Sequence, residues 1–254
     1  MKKLIIGGCV KNVGHYLPHI FKNIEILSHL FTDVKVIFSY DQSRDNTFQL
    51  IQQYMQYNKN VVLIMNNNQS PTRSINIANA RNAIMNCIKN SYPDYDLLCF
   101  IDCDDIINSN FKPEVFRKAI ELYDQWDALS FNREQYYDIW ALRYPPHMLP
   151  CWSYGSNSRT VISLMTNEIT EILKNLKENE LHPVMSAFNG VGLFKLNKFL
   201  NARFDGLYHH VNYKPAYSFN FIPSKDDCEW VNFYNNARKI NQNLQVMISP
   251  LKPY

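Results

Sequence analysis

The sequence predicts an α/β fold, with a mostly parallel central sheet flanked by helices and a less regular second half. Three observations carry this. Short apolar runs alternate with amphipathic stretches through the first hundred residues. The connections between them are short, as expected of parallel strands joined by right-handed crossovers. Polar groups cluster where the apolar runs end, and open parallel sheets bind ligands at the carboxyl ends of their strands.

"KLIIGGCV" is the first strand. The opening "MKKLIIGGCV" faintly imitates a signal peptide, but its apolar run is short and Lys11, Asn12 and His15 follow at once. Residues 14–30 then place Leu17, Ile20, Phe21, Ile24, Leu27 and Leu30 at helical spacing, with Pro18 tolerated in the first turn. "VKVIFSY" is a second strand and "SRDNTFQLIQQYMQ" a helix, with Ser43 or Asp45 as its cap. "VVLIM" is the third strand, residues 74–90 a helix, and "DLLCFI" the fourth strand. Beyond it, "KPEVFRKAIELYD" reads as a helix, "DALSFNREQYYDIWALRY" as a β-hairpin or pair of strands, and residues 160–179 as a helix. "VMSAFNGVGLFKL" alternates like a strand broken by a glycine turn. With no repeat, linker or low-complexity segment, one domain spanning 1–254 is expected.

Composition narrows the function classes. The 254 residues are 46% hydrophobic and 19% charged, enough for one sizeable core. The net charge of +3 is small and no Lys/Arg block tracks phosphates, so nucleic acid is not an expected partner. Six scattered cysteines show no C-x-x-C spacing, which reads as reduced thiols in an intracellular protein. No run approaches the ~18 apolar residues of a membrane span. The expectation is a soluble cytoplasmic protein, free or peripheral at a membrane.

The chemistry concentrates in "FIDCDDI". Asp102, Asp104 and Asp105 follow a buried strand, where unpaired carboxylates cost stability. A D-x-D pattern leaving a strand lets two aspartates reach one ligand. Hard oxygen donors suit Mg²⁺ or Mn²⁺, which usually bind through one or two carboxylates plus substrate phosphates. Asp41, just past the second strand, is placed to accept from uracil N3–H or a ribose hydroxyl. Ser43, Asp45 and Thr47 read as turn and cap residues. Arg81 interrupts an apolar helix face and would lean toward a nucleotide or toward Asp102. "AFNGVGLF" places Asn189, Gly190 and Gly192 in a tight loop with exposed N–H groups, or in a type I′ hairpin turn. "SKDDCEWVNFY" gathers Asp226, Asp227 and Glu229 at a helix start, where the macrodipole alone favours acids. His209 and His210 are candidates to complete a metal site. Trp140, Arg143 and Trp152 would shape a sugar site or serve packing.

The order strand–"KN"–helix, strand–"YDQSRDNT"–helix, "ARNAI" helix and "FIDCDD" resembles the nucleotide-sugar-binding half of GT-A fold glycosyltransferases over roughly residues 3–107. "YYDIWALR", "NGVGLFKL" and "CEWVNFY" are loosely similar to the capsule-associated mannosyltransferase group and related eukaryotic and viral enzymes. The resemblance implies a metal-dependent transferase moving a sugar from a UDP or GDP sugar to a glycan, protein or lipid hydroxyl, with inversion. It implies Mn²⁺ or Mg²⁺ on Asp102 and Asp104, and Glu229 or Asp227 as catalytic acid or base. Nucleotide-sugar contacts would come from Val10, Asn12, Asp41, Arg81, Asp102, Cys103, Asn189 and Gly190. Residues 1–107 would bind the donor and 108–254 the acceptor. Tyr40 stands where the family often has the first of two acids, which weakens the base-recognition part of the match. The rival readings are a retaining transferase of the same fold and an inactive nucleotide- or glycan-binding module. A nucleotidyltransferase would need a Gly-rich loop with Arg and Lys, which "GGCVKNVG" lacks. A dinucleotide oxidoreductase would need G-x-G-x-x-G.

Overall fold

A computed structural model describes residues 2–67, 70–107, 109–209 and 213–254. The first hundred residues run β1 (Lys3–Val10), α1 (Leu17–Ser28), β2 (Asp33–Asp41), α2 (Thr47–Tyr57), β3 (Val61–Asn66), α3 (Arg73–Ser91) and β4 (Leu97–Asp102). The rest contributes α4 (Pro113–Glu121), β5 (Ala128–Phe131), α5 (Ser158–Lys174), β6 (His182–Pro183), β7 (Val191–Lys195), α6 (Leu196–Phe199), α7 (Glu229–Ile240) and β8 (Val246–Ser249).

The strands form one sheet in the order β3-β2-β1-β4-β7-β5-β8-β6. β3, β2, β1 and β4 are mutually parallel. β7 then runs antiparallel between β4 and β5. Register places Val10 beside Tyr40 and Cys9 beside Asp102, so the loops after β1, β2 and β4 open on the same edge. The sheet is buried on both faces, as parallel strands require. On β1, Leu4 and Ile6 face one apolar cluster while Ile5 faces the other. Trp230 of α7 anchors the second cluster, stacked on Phe188 at 4.1 Å and edge-on to Phe100 of β4 at 5.4 Å.

Two expectations are corrected in the second half. The segment read as a β-hairpin supplies only β5. At its end, the Asn132 N–H donates to the carbonyls of Ser249 and Leu251, and the Arg133 N–H to the Asn132 side chain. The N–H groups of Tyr137 and Asp138 donate to Asn189 Oδ1 at 2.9 and 3.2 Å. Side chains satisfy this backbone, so no second strand forms there. The Asn-Gly turn is likewise no hairpin, because β7 starts at Val191 and pairs with β4 and β5.

Gly190 has φ of +93°, and a Cβ there would sit 2.8 Å from Ile106 Cγ2 and 2.9 Å from the Tyr254 hydroxyl oxygen. Gly190→Ala should therefore destabilise the fold by about 1–3 kcal/mol, measured by denaturant unfolding. A loss below ~0.5 kcal/mol would show that the turn relaxes around the methyl group.

Candidate active site

The loops after β1 and β2 are stitched together before any ligand arrives. Three successive N–H groups, of Asn12, Val13 and Gly14, donate to Ser43 Oγ, Thr47 Oγ1 and Asp45 Oδ2 at 3.0, 2.8 and 2.9 Å. The Arg44 N–H donates to Asn12 Oδ1 at 2.7 Å, with Asn12 in the left-handed region at φ 54°. Ser43, Asp45 and Thr47 therefore receive the first loop, a role their turn chemistry did not reveal, while the N-cap position of α2 belongs to Asn46 and not to Ser43 or Asp45. Asp41 accepts from Lys11 Nζ at 2.8 Å and remains at the rim.

These loops bound a cleft of about 570 Å³, within the usual range for small-ligand sites. Val10, Asn12, Asp41, Arg81, Asp102, Cys103, Asp104 and Glu229 all line it, as do Arg73, Tyr137, Asp138 and Trp140. Sequence reasoning missed Arg73 and Asp138. Arg73 looked like an ordinary helix start. Asp138 lay inside the supposed hairpin, although its segment "YYDIWALR" had been noticed.

Arg81 is the hub. It is buried, donates to Glu229 Oε1 through Nη1, and reaches Asp102 Oδ1 through Nη2 at 3.4 Å. Its guanidinium lies 4.3 Å from the centroid of the Trp230 ring, a cation–π contact. Even so, Asp102 is under-compensated. Removal from water raises its pKa to about 7, Arg81 opposing and Asp104 adding to the rise. Desolvation raises Asp104 as well, although Asp104 Oδ1 accepts from the Ile106 N–H at 3.2 Å. Two neighbouring carboxylates that the fold leaves uncomfortable as anions, one of them half-buried, fit a hard divalent cation. Among the described residues no third His, Cys, Asp or Glu joins them in a ready-made metal group.

Several expected site residues lie elsewhere. Asn189 and Gly190 are buried and do not line the cleft. The Asn189 carboxamide is used by the Tyr137 and Asp138 N–H groups and by Phe131 O, and Gly190 O accepts from the Asp102 N–H at 2.8 Å. Gly190 braces the acid turn, and Asn189 braces the loop after β5. Asp227 faces a separate pocket of about 380 Å³ and is paired with buried Arg143 at 2.7 Å. Burial raises its pKa while Arg143 lowers it. Glu229 does reach the cleft, and its Oε1 accepts from Arg81. His209 pairs with Asp205 at 2.7 Å and lines the Asp227 pocket. His210 lies outside the described residues. Trp152 is 53% exposed and away from the cleft.

With the geometry in hand, comparison with known proteins is direct. Residues 9–197 match glycosyl transferase family 2. The chain belongs to this family. A search of curated proteins finds no match. The family 2 chain is similar in fold to S. aureus TarS 1-349, with a TM-score of 0.50 at 14% identity, covering 100% of this chain and 59% of that one. The same TarS fragment in complex with UDP-GlcNAc gives 0.50 at 16% identity, covering 100% and 57%. The mannosyltransferase PcManGT of Pyrobaculum calidifontis, in complex with GDP-Man and Mn²⁺, gives 0.48 at 12% identity, covering 80% and 47%. The chain thus spans less than three-fifths of the TarS fragment, and at these identities the likeness establishes the GT-A fold alone. No helix among the described residues is long and apolar enough to cross a membrane.

The Asp102 shift sets a sign for stability. Its folded pKa of about 7 lies above the ordinary 3.8, so ionisation opposes folding. The stability that the neutral form provides is complete below the ordinary value and is lost as pH rises through about 7. Metal-free Asp102→Asn should therefore be more stable than wild type at pH 8, by on the order of a few kcal/mol, with the gap closing toward pH ~4. Thermal or urea melts at the two pH values measure this. A variant less stable at pH 8 would mean that the Arg81 contact outweighs desolvation.

Proposed function

We propose that this family 2 chain transfers a sugar from a nucleoside-diphosphate sugar to a hydroxyl acceptor, with inversion and with help from a divalent cation. The observation that carries this is the pair Asp102 and Asp104 at the carboxyl end of β4, in a cleft that also holds Arg73 and Arg81. The fold shared with the UDP-GlcNAc complex of TarS supports a nucleotide-sugar donor.

On this reading, residues 1–107 hold the donor and 108–254 face the acceptor. Val10, Asn12 and Asp41 would contact the base and ribose from the two stitched loops, with Cys103 beside the acid turn. Its thiol, pushed far above its ordinary pKa by burial, stays neutral and serves packing. Asp102 and Asp104 would hold Mn²⁺ or Mg²⁺. When bound, the cation neutralises the diphosphate and stabilises it as a leaving group. Arg73, exposed at the start of α3, adds positive charge at the same mouth. Gly190 supports the donor site indirectly by fixing the acid turn, and Asn189 by holding the Tyr137 and Asp138 backbone at the cleft. Glu229 positions Arg81, and Arg81 positions Asp102. The acceptor hydroxyl attacks the anomeric carbon from the side opposite the diphosphate and gives its proton to a base.

Titration calorimetry with UDP and GDP, in EDTA and in Mn²⁺, tests the donor half. Affinity should rise strongly with Mn²⁺, because uncompensated diphosphate and carboxylates repel. Asp104→Ala should abolish that dependence and transfer while leaving the melt within about ±0.5 kcal/mol or slightly stabilised. Equal nucleotide affinity in EDTA and Mn²⁺ would remove the cation from the proposal.

A further inference from the structure

We propose that Asp138, in the loop after β5, is the general base that takes the proton from the attacking hydroxyl. This rests on the transfer reading above. Four cleft or near-cleft acids lie outside the acid turn, and Asp41 is paired with Lys11 at the rim. Asp227 and Glu229 are each held by an arginine, Arg143 and Arg81. Asp138 lines the cleft beside Tyr137 and Trp140, and among the described residues no ion pair holds it. Among the described residues its carboxylate accepts one hydrogen bond, at Oδ1 from the Ala141 N–H at 3.0 Å. That contact orients the group and leaves Oδ2 available.

Its backbone is fixed as well. Asn189 is fully buried and receives the N–H groups of both Tyr137 and Asp138 on one oxygen, while its Nδ2 donates to Phe131 O at 3.1 Å. The side chain is thus delivered to the cleft by a rigid bracket and does not ride on a free loop. Such pre-organisation is what a positioned base needs.

The surrounding charges suit the task. Arg73 and Arg81 face Asp138 from α3 and Arg143 from its own loop, but desolvation dominates and raises its pKa to about 6. Asp102 faces it across the cleft, and Tyr136, Tyr137, Cys151 and Cys228 nearby all have raised pKa values and stay neutral. Asp138 is therefore ionised at neutral pH and more basic than a solvated aspartate. In the step itself, the acceptor oxygen forms a bond to the anomeric carbon. The bond from that carbon to the diphosphate oxygen breaks, its electron pair leaving on the nucleoside diphosphate. The acceptor proton passes to Oδ2.

Asp138→Asn retains the acceptor oxygen for the Ala141 N–H and removes the base. The full chain with Mn²⁺ is assayed for release of nucleoside diphosphate from UDP-GlcNAc, GDP-Man and other UDP- and GDP-hexoses, with water or added sugars as acceptors. Donor affinity is measured in parallel by calorimetry. The variant should lose about 10²–10⁴-fold in turnover with donor affinity unchanged. Asp227→Asn should lose far less. If Asp138→Asn folds poorly by its melt, Asp138→Ala with formate added as an external base replaces it, and formate should restore turnover. A variant within a few-fold of wild type, or one without formate rescue, overturns the base assignment alone. A wild type that binds no nucleoside diphosphate, or is inert toward every donor, overturns the transfer reading and this proposal with it.

Discussion

The cleft depends on one buried cation. Arg81 joins the end of β4, through Asp102, to the first residue of α7, through Glu229, and rests on Trp230 in the next position of that helix. In the closer and more deeply buried of the two pairs, Arg81 with Glu229, removing one partner strands a charge out of water, which typically costs about 3–5 kcal/mol of a domain's roughly 5–15 kcal/mol. The position of α7 and the orientation of the acid turn are therefore set together. α7 could not drift without exposing the aromatic stack of Phe188, Phe194 and Trp230, so apolar packing and the ion pair enforce the same geometry.

Around that hub the strand-end loops divide the work. The first two bind each other through the hydroxyls and carboxylate of Ser43, Asp45 and Thr47, which shapes the cleft in advance. The acid turn is braced by Gly190 O, and burial disfavours the anionic form of its carboxylates. The fold thus uses arginine to position some acids and leaves others available for chemistry. Asp227 and Glu229 belong to the first group, Asp104 and Asp138 to the second.

Much of this was legible in the sequence because parallel strands announce themselves. β1 to β4 are apolar runs between amphipathic helices, and their ends carry the polar residues that meet at the cleft. The acid turn and Asp41 could be found from that rule alone, and Arg81 as a cation interrupting the apolar face of α3. What stayed hidden was which acid meets which base across long separations. Glu229 and Asp227 look alike in "DDCEW", and only tertiary packing brings each to its arginine. Asp138 was masked by a run of strand-forming aromatics whose backbone is in fact satisfied by the Asn189 side chain. β8 and the two-residue β6 were missed for a simpler reason: they are short strands in the sheet half farthest from β1 and carry little periodicity.

The most direct test of this account is a double-mutant cycle on Arg81→Met and Glu229→Gln, read by urea unfolding of the apo protein. If Arg81 is the hub, the two changes couple by about 1.5 kcal/mol or more, the double variant losing less stability than the sum of the two single losses. Changes that add within ~0.5 kcal/mol would show that the two side chains do not depend on each other, and the cleft would then owe its shape to aromatic packing alone.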